Sequence, residues 1–425
     1  MKRSTDTSRI NPRDFDYFVG MDVDKRSISV AVWDWDSVVY EKKFPYDGTA
    51  ILTRLQRKFR GANMAFTYET GPTGFGLYDT LTGLGQQCLL VPSHAIPERA
   101  LERNKTNRID ANKLAENLRG GQLFSIRVPS TPYRKLRRLC HLLEAVVKRC
   151  VQSMNRIKSL FLFEGIPFPE GPSWTKACIE QLRTSDEYNS VRFEVNMYLG
   201  QLEAARNEKS EVESEIRRYI ESVPELLEYA GYLMSFKGIS WTIASALLSR
   251  IGDPSQLKNC RELGCFLGLT PWENSTGEGQ DRSNVTGMGN HRVRSLLIEA
   301  SWIAIQYDQE LRDFYNHIRS RHPEDRAKKV AIVAVARKLT MRIYAVLKER
   351  RNYEIRTPKK AKPKSPKKAP PKPSPKARKR KTQTKKNESA DSGKSEAELL
   401  AECRQRLEKI TELEREIRAR IKRSD

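Results

Sequence analysis

Phe18-Val-Gly-Met-Asp22-Val-Asp24, followed by Ser27-Ile-Ser-Val-Ala-Val-Trp33, decides the fold. Apolar residues run up to Asp22, a short polar break follows, and Ile28, Val30 and Val32 then alternate with smaller or polar residues. Period two with β-branched residues around a tight polar turn predicts a β-hairpin. Asp22 ends the first, buried strand, where an ionised carboxylate is costly unless something pairs with it. A divalent cation is one such partner when other carboxylates arrive from elsewhere. The alternative is a turn aspartate satisfied by backbone N–H groups, and Asp24 is read that way.

Working outward, strands are expected at 17–23, 27–34, 37–44, 64–69 and 88–92. A helix over 47–60 starts at Asp47-Gly48, and another covers 75–84. Residues 103–111 are polar and basic, with a helix continuing over 111–118. Strands followed by strand–helix alternation argue for an α/β layer. Residues 133–165 and 181–230 carry helical apolar spacing and predict two long helices joined by the Pro167–Pro172 segment, an antiparallel pair or coiled coil. In the third unit, a Gly238-Ile239 turn before a small-residue helix resembles a helix–hairpin–helix element, which can meet a phosphate with backbone N–H groups. A polar, Gly-rich loop is expected over 274–290, and helices over His291–Leu297 and Lys328–Leu347. The last offers Lys329, Arg337 and Arg342 to phosphates.

The organisation expected is a flexible 1–15, an α/β domain at 16–130, a helical region at 131–232 and a mostly helical domain at 233–352. A Lys/Pro tail at 353–395 and an amphipathic helix at 396–425 follow. The net charge is +24, and residues 357–386 hold 14 Lys or Arg and no acid. Removing those 14 charges leaves +10, so the basic character is not confined to a tail. A polyanion partner, nucleic acid first, is implied. No apolar run approaches a membrane span, so no membrane-spanning helix is expected, and the scattered cysteines fit a reducing cytoplasm. The seven cysteines form no CxxC pair, so zinc is not expected.

Three acids fall at suggestive places: Asp22 after the first strand, Glu69 after the fourth, and Asp110 at the start of a helix after the fifth. In an RNase H-like fold those positions converge at one edge of the sheet. Carboxylates there hold two divalent ions about 3.5–4 Å apart and act on phosphodiesters. Phosphate contacts are expected from Lys105, Arg108, Lys237, Arg292 and Arg294, because phosphate contacts outnumber base contacts.

Together, Val19-Gly-Met-Asp22, Tyr68-Glu69-Thr-Gly71, Asn104-Lys-Thr-Asn-Arg-Ile-Asp-Ala111, Gly268-Leu-Thr-Pro271 and Gly289-Asn-His-Arg-Val-Arg294 resemble the DEDD-type insertion-sequence transposases related to the Piv/MooV invertases. Gly238-Ile239 and Ile251-Gly-Asp253 belong to the same pattern, which covers about residues 16–350. The resemblance implies a RuvC-like domain, a coiled-coil insertion and a C-terminal transposase domain. It also implies a DNA recombinase with Mg2+ or Mn2+, an element-encoded bridge RNA as guide, and a composite site in a dimer or tetramer in the nucleoid of a prokaryotic cell. Asp22, Glu69 and Asp110 match family acids; the third acid position holds Asn107, which lends an oxygen but no charge, unless it is a helix cap. The family's nucleophilic serine corresponds to Thr276, with Ser275 beside it. The competing readings are a nucleic-acid-binding relative without activity, and a nuclease or junction resolvase that needs only the acids and water.

Overall fold

The computed structural model describes residues 9–97, 106–276, 279–285 and 289–355; Lys105 and everything expected at 356–425 lie outside them. The tight hairpin forms as expected: β1 (Tyr17–Val23) pairs antiparallel with β2 (Ser27–Trp33), which pairs with β3 (Val38–Pro45). Asp47 then accepts a hydrogen bond from the Ala50 N–H at 3.0 Å and starts α1 (Gly48–Lys58). The chain crosses back to β4 (Met64–Glu69), parallel to β1, and through α2 (Gly76–Gly83) to β5 (Gln87–Val91), parallel to β4. The strand order is β3-β2-β1-β4-β5, so the strand carrying Asp22 is central.

Alternation sorts the side chains onto two faces. Val19, Met21, Phe66 and Tyr68 pack with Ile51 and Leu55 of α1 and Leu77 of α2. Phe18, Ala65, Leu89 and Val91 pack on the other face against Leu114 and Leu118. Those last two belong to α3 (Asn107–Arg119), which begins four residues earlier than sequence spacing suggested. Its N-cap is Thr106, whose hydroxyl accepts from the Ile109 N–H at 3.3 Å, so Asn107 is a helical residue and not the cap.

α3 lies against β1 closely enough to exclude a side chain. A Cβ on Gly20 would overlap the Ala111 carbonyl oxygen and stand 2.5 Å from the Ala115 nitrogen. Glycine is therefore required at position 20 for close approach of two backbones.

From Ser130 the chain runs into α4 (Thr131–Glu164), closed by Gly165 in the left-handed region at φ 68°. α4 packs against α6 (Arg192–Ser222). The continuous helix expected over 181–230 is broken: α5 (Lys176–Thr184), a 3-10 turn, α6 and α7 (Pro224–Met234) take its place. Pro224 explains the second break, since proline suits a first helical turn and cannot continue a preceding one. The first half of α4 joins α7, α8 (Trp241–Ile251), α9 (Cys260–Phe266), α10 (His291–Tyr307), α11 (Gln309–Arg319) and α12 (Glu324–Glu349) around one large core.

The Gly-rich loop expected over 274–290 contains a hairpin instead, β6 (Pro271–Thr276) with β7 (Gly279–Val285). Its two ends are pinned together. Gly289, at φ 92°, lies against Gly268 so closely that a Cβ would stand 2.5 Å from the Gly268 nitrogen. Arg294 donates to the Gly268 carbonyl at 3.1 Å. Arg342, expected to face phosphates, is buried: it pairs with Asp308 at 2.6 Å and with Glu310 at 2.8 Å. Lys329 and Arg337 on the same helix are exposed.

Two outcomes follow from this packing. Gly20→Ala should lower stability by about 3 kcal/mol by overpacking the α3–β1 contact. Urea unfolding followed by tryptophan fluorescence would show it, and a loss under about 0.5 kcal/mol would contradict the contact. Burial raises the Asp308 carboxyl pKa, but the Tyr353 hydroxyl, the Leu311 N–H and Arg342 outweigh burial and hold it below the usual carboxylate range. Its contribution is thus present above the unfolded-state pKa and is lost as pH falls through the lower folded value. Asp308→Ala leaves buried Arg342 with Glu310 but without its closer carboxylate, and removes the cap on the Leu311 N–H, so it should cost about 2–3 kcal/mol at neutral pH. The loss should shrink in acid, in urea titrations run at descending pH.

Candidate active site

The register of the parallel pair builds the site. Met21 stands beside Tyr68 as the last pair of β1 and β4, so Asp22 and Glu69 follow as the next residues on adjacent strands. Both fall on the α3 face, the face of Phe18 and Ala65. α3 runs back along β1: Ala115 and Ala111 lie at Gly20, and Asn107 donates to Asp24 beyond the strand end. One helical turn rises about as far as two strand residues, so the first turn of α3, with Asn107 and Asp110, lies alongside Asp22. Asp22, Glu69, Asn107 and Asp110 therefore share one end and one face of the sheet.

The surrounding residues fix that end. The Tyr68 hydroxyl donates to the Gly74 carbonyl and accepts from the Tyr78 N–H, both at 3.1 Å, which ties the loop after β4 to its own strand. Burial pushes the Tyr68 phenol well above its ordinary pKa, so it stays a neutral hydrogen-bond donor. The Thr70 N–H donates to the Val91 carbonyl at 2.8 Å. On the helix side, Trp33 Nε1 donates to Asn112 Oδ1 at 3.0 Å, and Asn112 donates to Glu41. Arg108 pairs with the same Glu41, whose carboxyl it holds below the usual range. Arg108, expected to meet phosphate, is thus committed to β3 in this arrangement.

The carboxylates are not drawn together. Glu69 accepts a hydrogen bond from the Ser93 hydroxyl, Asn107 is turned to Asp24, and Asp22 is also engaged. Among the described residues no three His, Cys, Asp or Glu side chains form a group that could hold a metal ion as placed. The donor chemistry is nonetheless that of a hard cation: carboxylate and amide oxygens only, from three separate elements. Asp24 and Ser93 were missed as neighbours; each lies far in sequence from the residue it touches.

The two hydroxyl candidates lie elsewhere, on the pinned hairpin. Ser275 and Thr276 end β6, where Ser275 pairs with Gln280 and Thr276 with Gly279. Lys237 is exposed in the turn between α7 and α8, and Arg292 is half-buried in the first turn of α10. The sheet and the helical domain are tied by Arg134 of α4, which holds Asp79 of α2 through two hydrogen bonds of 2.8 Å. Arg137 of α4 also donates to the Ser249 carbonyl at 2.8 Å, at the end of α8.

Comparison with known proteins agrees with both halves. The DEDD transposase model of the IS110 type matches residues 19–164, and the model of the Transposase IS116/IS110/IS902 family matches residues 230–316. The chain is 29% identical to the y4qE protein of Sinorhizobium fredii over 67% of this chain and 71% of that protein. It is 24% identical to the transposase for insertion sequence element IS1533 of Leptospira borgpetersenii, over 67% of this chain and 84% of the relative. It is 26% identical to the pilin gene-inverting protein of Moraxella bovis, over 35% of this chain and 45% of the relative.

The Asn107–Asp24 contact gives a direct test of the site's charge. Asn107→Asp sets a carboxylate against Asp24, so the thermal midpoint should fall by a few degrees in EDTA and recover in millimolar Mn2+. The native chain should show the smaller Mn2+ effect. An equal response of both proteins would separate position 107 from cation binding.

Proposed function

The chain belongs to the IS110-type DEDD transposases of insertion sequences, and on that premise we propose that it cuts and rejoins DNA phosphodiesters at the edge formed by β1, β4 and α3. The observation that carries this reading is the adjacency of Asp22 and Glu69, with the first turn of α3 laid alongside. The strand order supports reading residues 16–130 as an RNase H-like, RuvC-like domain. Residues 131–232 are read as a coiled-coil insertion and 233–352 as the transposase domain with a helix–hairpin–helix-like element.

In this reading Asp22, Glu69 and Asp110, with the Asn107 amide oxygen, hold Mg2+ or Mn2+. A divalent cation held there would supply Lewis-acid polarisation of the phosphoryl oxygens and charge stabilisation for the leaving oxygen. The hydroxyl of Ser275 or Thr276, on the β6–β7 hairpin, attacks the backbone phosphorus: its O–P bond forms as one backbone P–O bond breaks, the strand end leaves as a hydroxyl that takes up the proton the nucleophile lost, and rejoining reverses the exchange. The Gly268–Gly289 closure supports a presenting role for that hairpin, because it fixes the base from which the hydroxyls extend. Lys237 and Arg292 bind flanking phosphates. Acids and hydroxyl come together from two protomers, so the working form is a homo-oligomer, a dimer or tetramer. An RNA encoded beside the gene guides target choice, and the protein works where the cell's DNA lies, in the cytoplasm. Among the described residues no helix is long and apolar enough to cross a membrane.

Strand cleavage and transfer with Mg2+, measured for the native chain and for Asp22→Ala, Ser275→Ala and Thr276→Ala, test this. Loss of about a thousandfold or more with Asp22→Ala and with one hydroxyl variant is expected. Loss with Asp22→Ala alone would make the chain a water-using nuclease. An inactive native chain that still binds DNA would make it a binding protein.

A further inference from the structure

A groove of about 860 Å³ lies between the middle of α4 and the first turn of α10. From α4 it takes Lys148, Gln152, Asn155 and Arg156, with Ser159 at its far end. From Lys148 to Ser159 the helix rises about 16 Å along one face. His291 and Arg292 form the opposite wall, where the amino end of a 17-residue helix adds partial positive charge. Val147 and Val151 of α4 add apolar surface to the lining.

The charge balance is one-sided. The lining carboxylate, Glu144, is already paired with Arg250 at 3.3 Å. Among the described residues no carboxylate pairs with Lys148, Arg156 or Arg292; Arg156 makes a long hydrogen bond of 3.4 Å to Gln201 and stands over the Tyr198 ring at 5.8 Å. Three cations therefore face a concave surface whose one acid is neutralised. Between them lie amide and hydroxyl groups that can both donate and accept hydrogen bonds. A duplex keeps its Watson–Crick edges paired and shows base edges only within its grooves, whereas an unpaired strand also offers those pairing edges to side chains. We propose that this groove binds a single nucleic-acid strand, its phosphates on Lys148, Arg156 and Arg292 and its base edges toward Gln152, Asn155 and Ser159. The inference rests on the chain acting on nucleic acid, and it names a surface remote in sequence from the acidic edge.

Full-length protein in EDTA, where strand cleavage is not being read, is titrated by fluorescence anisotropy. The probes are a short single-stranded RNA, the single-stranded DNA of the same sequence, and the DNA duplex, each across a range of salt. Lys148→Gln with Arg156→Gln should weaken single-strand binding about tenfold or more and flatten its salt slope by about 1.4. Duplex affinity should stay within about twofold. Loss on the RNA arm, the DNA arm or both identifies the strand. Lys209→Gln with Arg217→Gln removes the same charge from α6 and should do neither. Gln152→Ala with Asn155→Ala keeps every charge, and should weaken single-strand binding about threefold or more without changing the slope; it also guards against a misfolded charge variant. Unchanged single-strand binding in the groove variants, or equal losses on all three probes and in the α6 control, would overturn the proposal. A native chain that binds strands this way but shows no Asp22-dependent cleavage would instead overturn the catalytic reading.

Discussion

The approach of two backbones at Gly20 sets the position of the chemistry. α3 contributes no backbone hydrogen bonds to the strands, so its place on the sheet depends on side-chain packing, with Asn112, Arg108 and Asn107 tying it to Trp33, Glu41 and Asp24. Small residues make that packing close: Gly20 on the strand, Ala111 and Ala115 on the helix. Phe18, fully buried under Leu114 and Leu118, contributes on the order of 2 kcal/mol to the same contact. Because the helix is held at Gly20, its first turn is carried past the end of β1. Asn107 reaches Asp24 and Arg108 reaches Glu41 as a consequence. A side chain at position 20 would lift the helix and move the Asn107–Asp110 turn away from Asp22 and Glu69.

The second half of the chain uses the same device. Gly268 and Gly289 close the base of the β6–β7 hairpin as Gly20 seats α3. The glycines in the matched motifs are therefore fixed by backbone proximity, while the acids and hydroxyls beside them are left to do chemistry. α4 links the halves, since one of its arginines grips α2 and the next turn's arginine grips the end of α8. Neither arginine is free to bind DNA, so the surface charge available to phosphates is smaller than the sequence total implies.

The sheet was largely legible from the chain. Period-two alternation located the strands to within a residue or two, and Asp47 marked the start of α1 as a cap. The break before α7 was visible as Pro224 and was overlooked because the apolar spacing continued through it. The hairpin at 271–285 was not legible: its Asn, Gly, Ser and Asp residues are poor strand formers, and cross-strand pairing overrides that preference. Of the candidate site, the acids and their shared edge could be read because strand ends are local. The partners could not. Glu41 lies 67 residues from Arg108, Asp24 lies 83 from Asn107, and Lys148 faces Arg292 across the groove from a different helix. Such neighbours arise from parallel pairing and helix packing, which local spacing does not encode. Arg342 shows the converse, a cation on a polar-looking turn that is buried by partners arriving from Asp308 and Tyr353.

The proposed cation site is a single cluster where β1, β4 and α3 meet. Crystals of the full chain grown with Mn2+ and measured for anomalous scattering test it most directly. Expected is an anomalous peak about 2.0–2.2 Å from carboxylate oxygens of Asp22, Glu69 and Asp110, with the Ser93–Glu69 and Asn107–Asp24 hydrogen bonds broken to release those side chains. Strong Mn2+ density bound elsewhere on the chain, with those two hydrogen bonds intact and no peak at the strand ends, would contradict it.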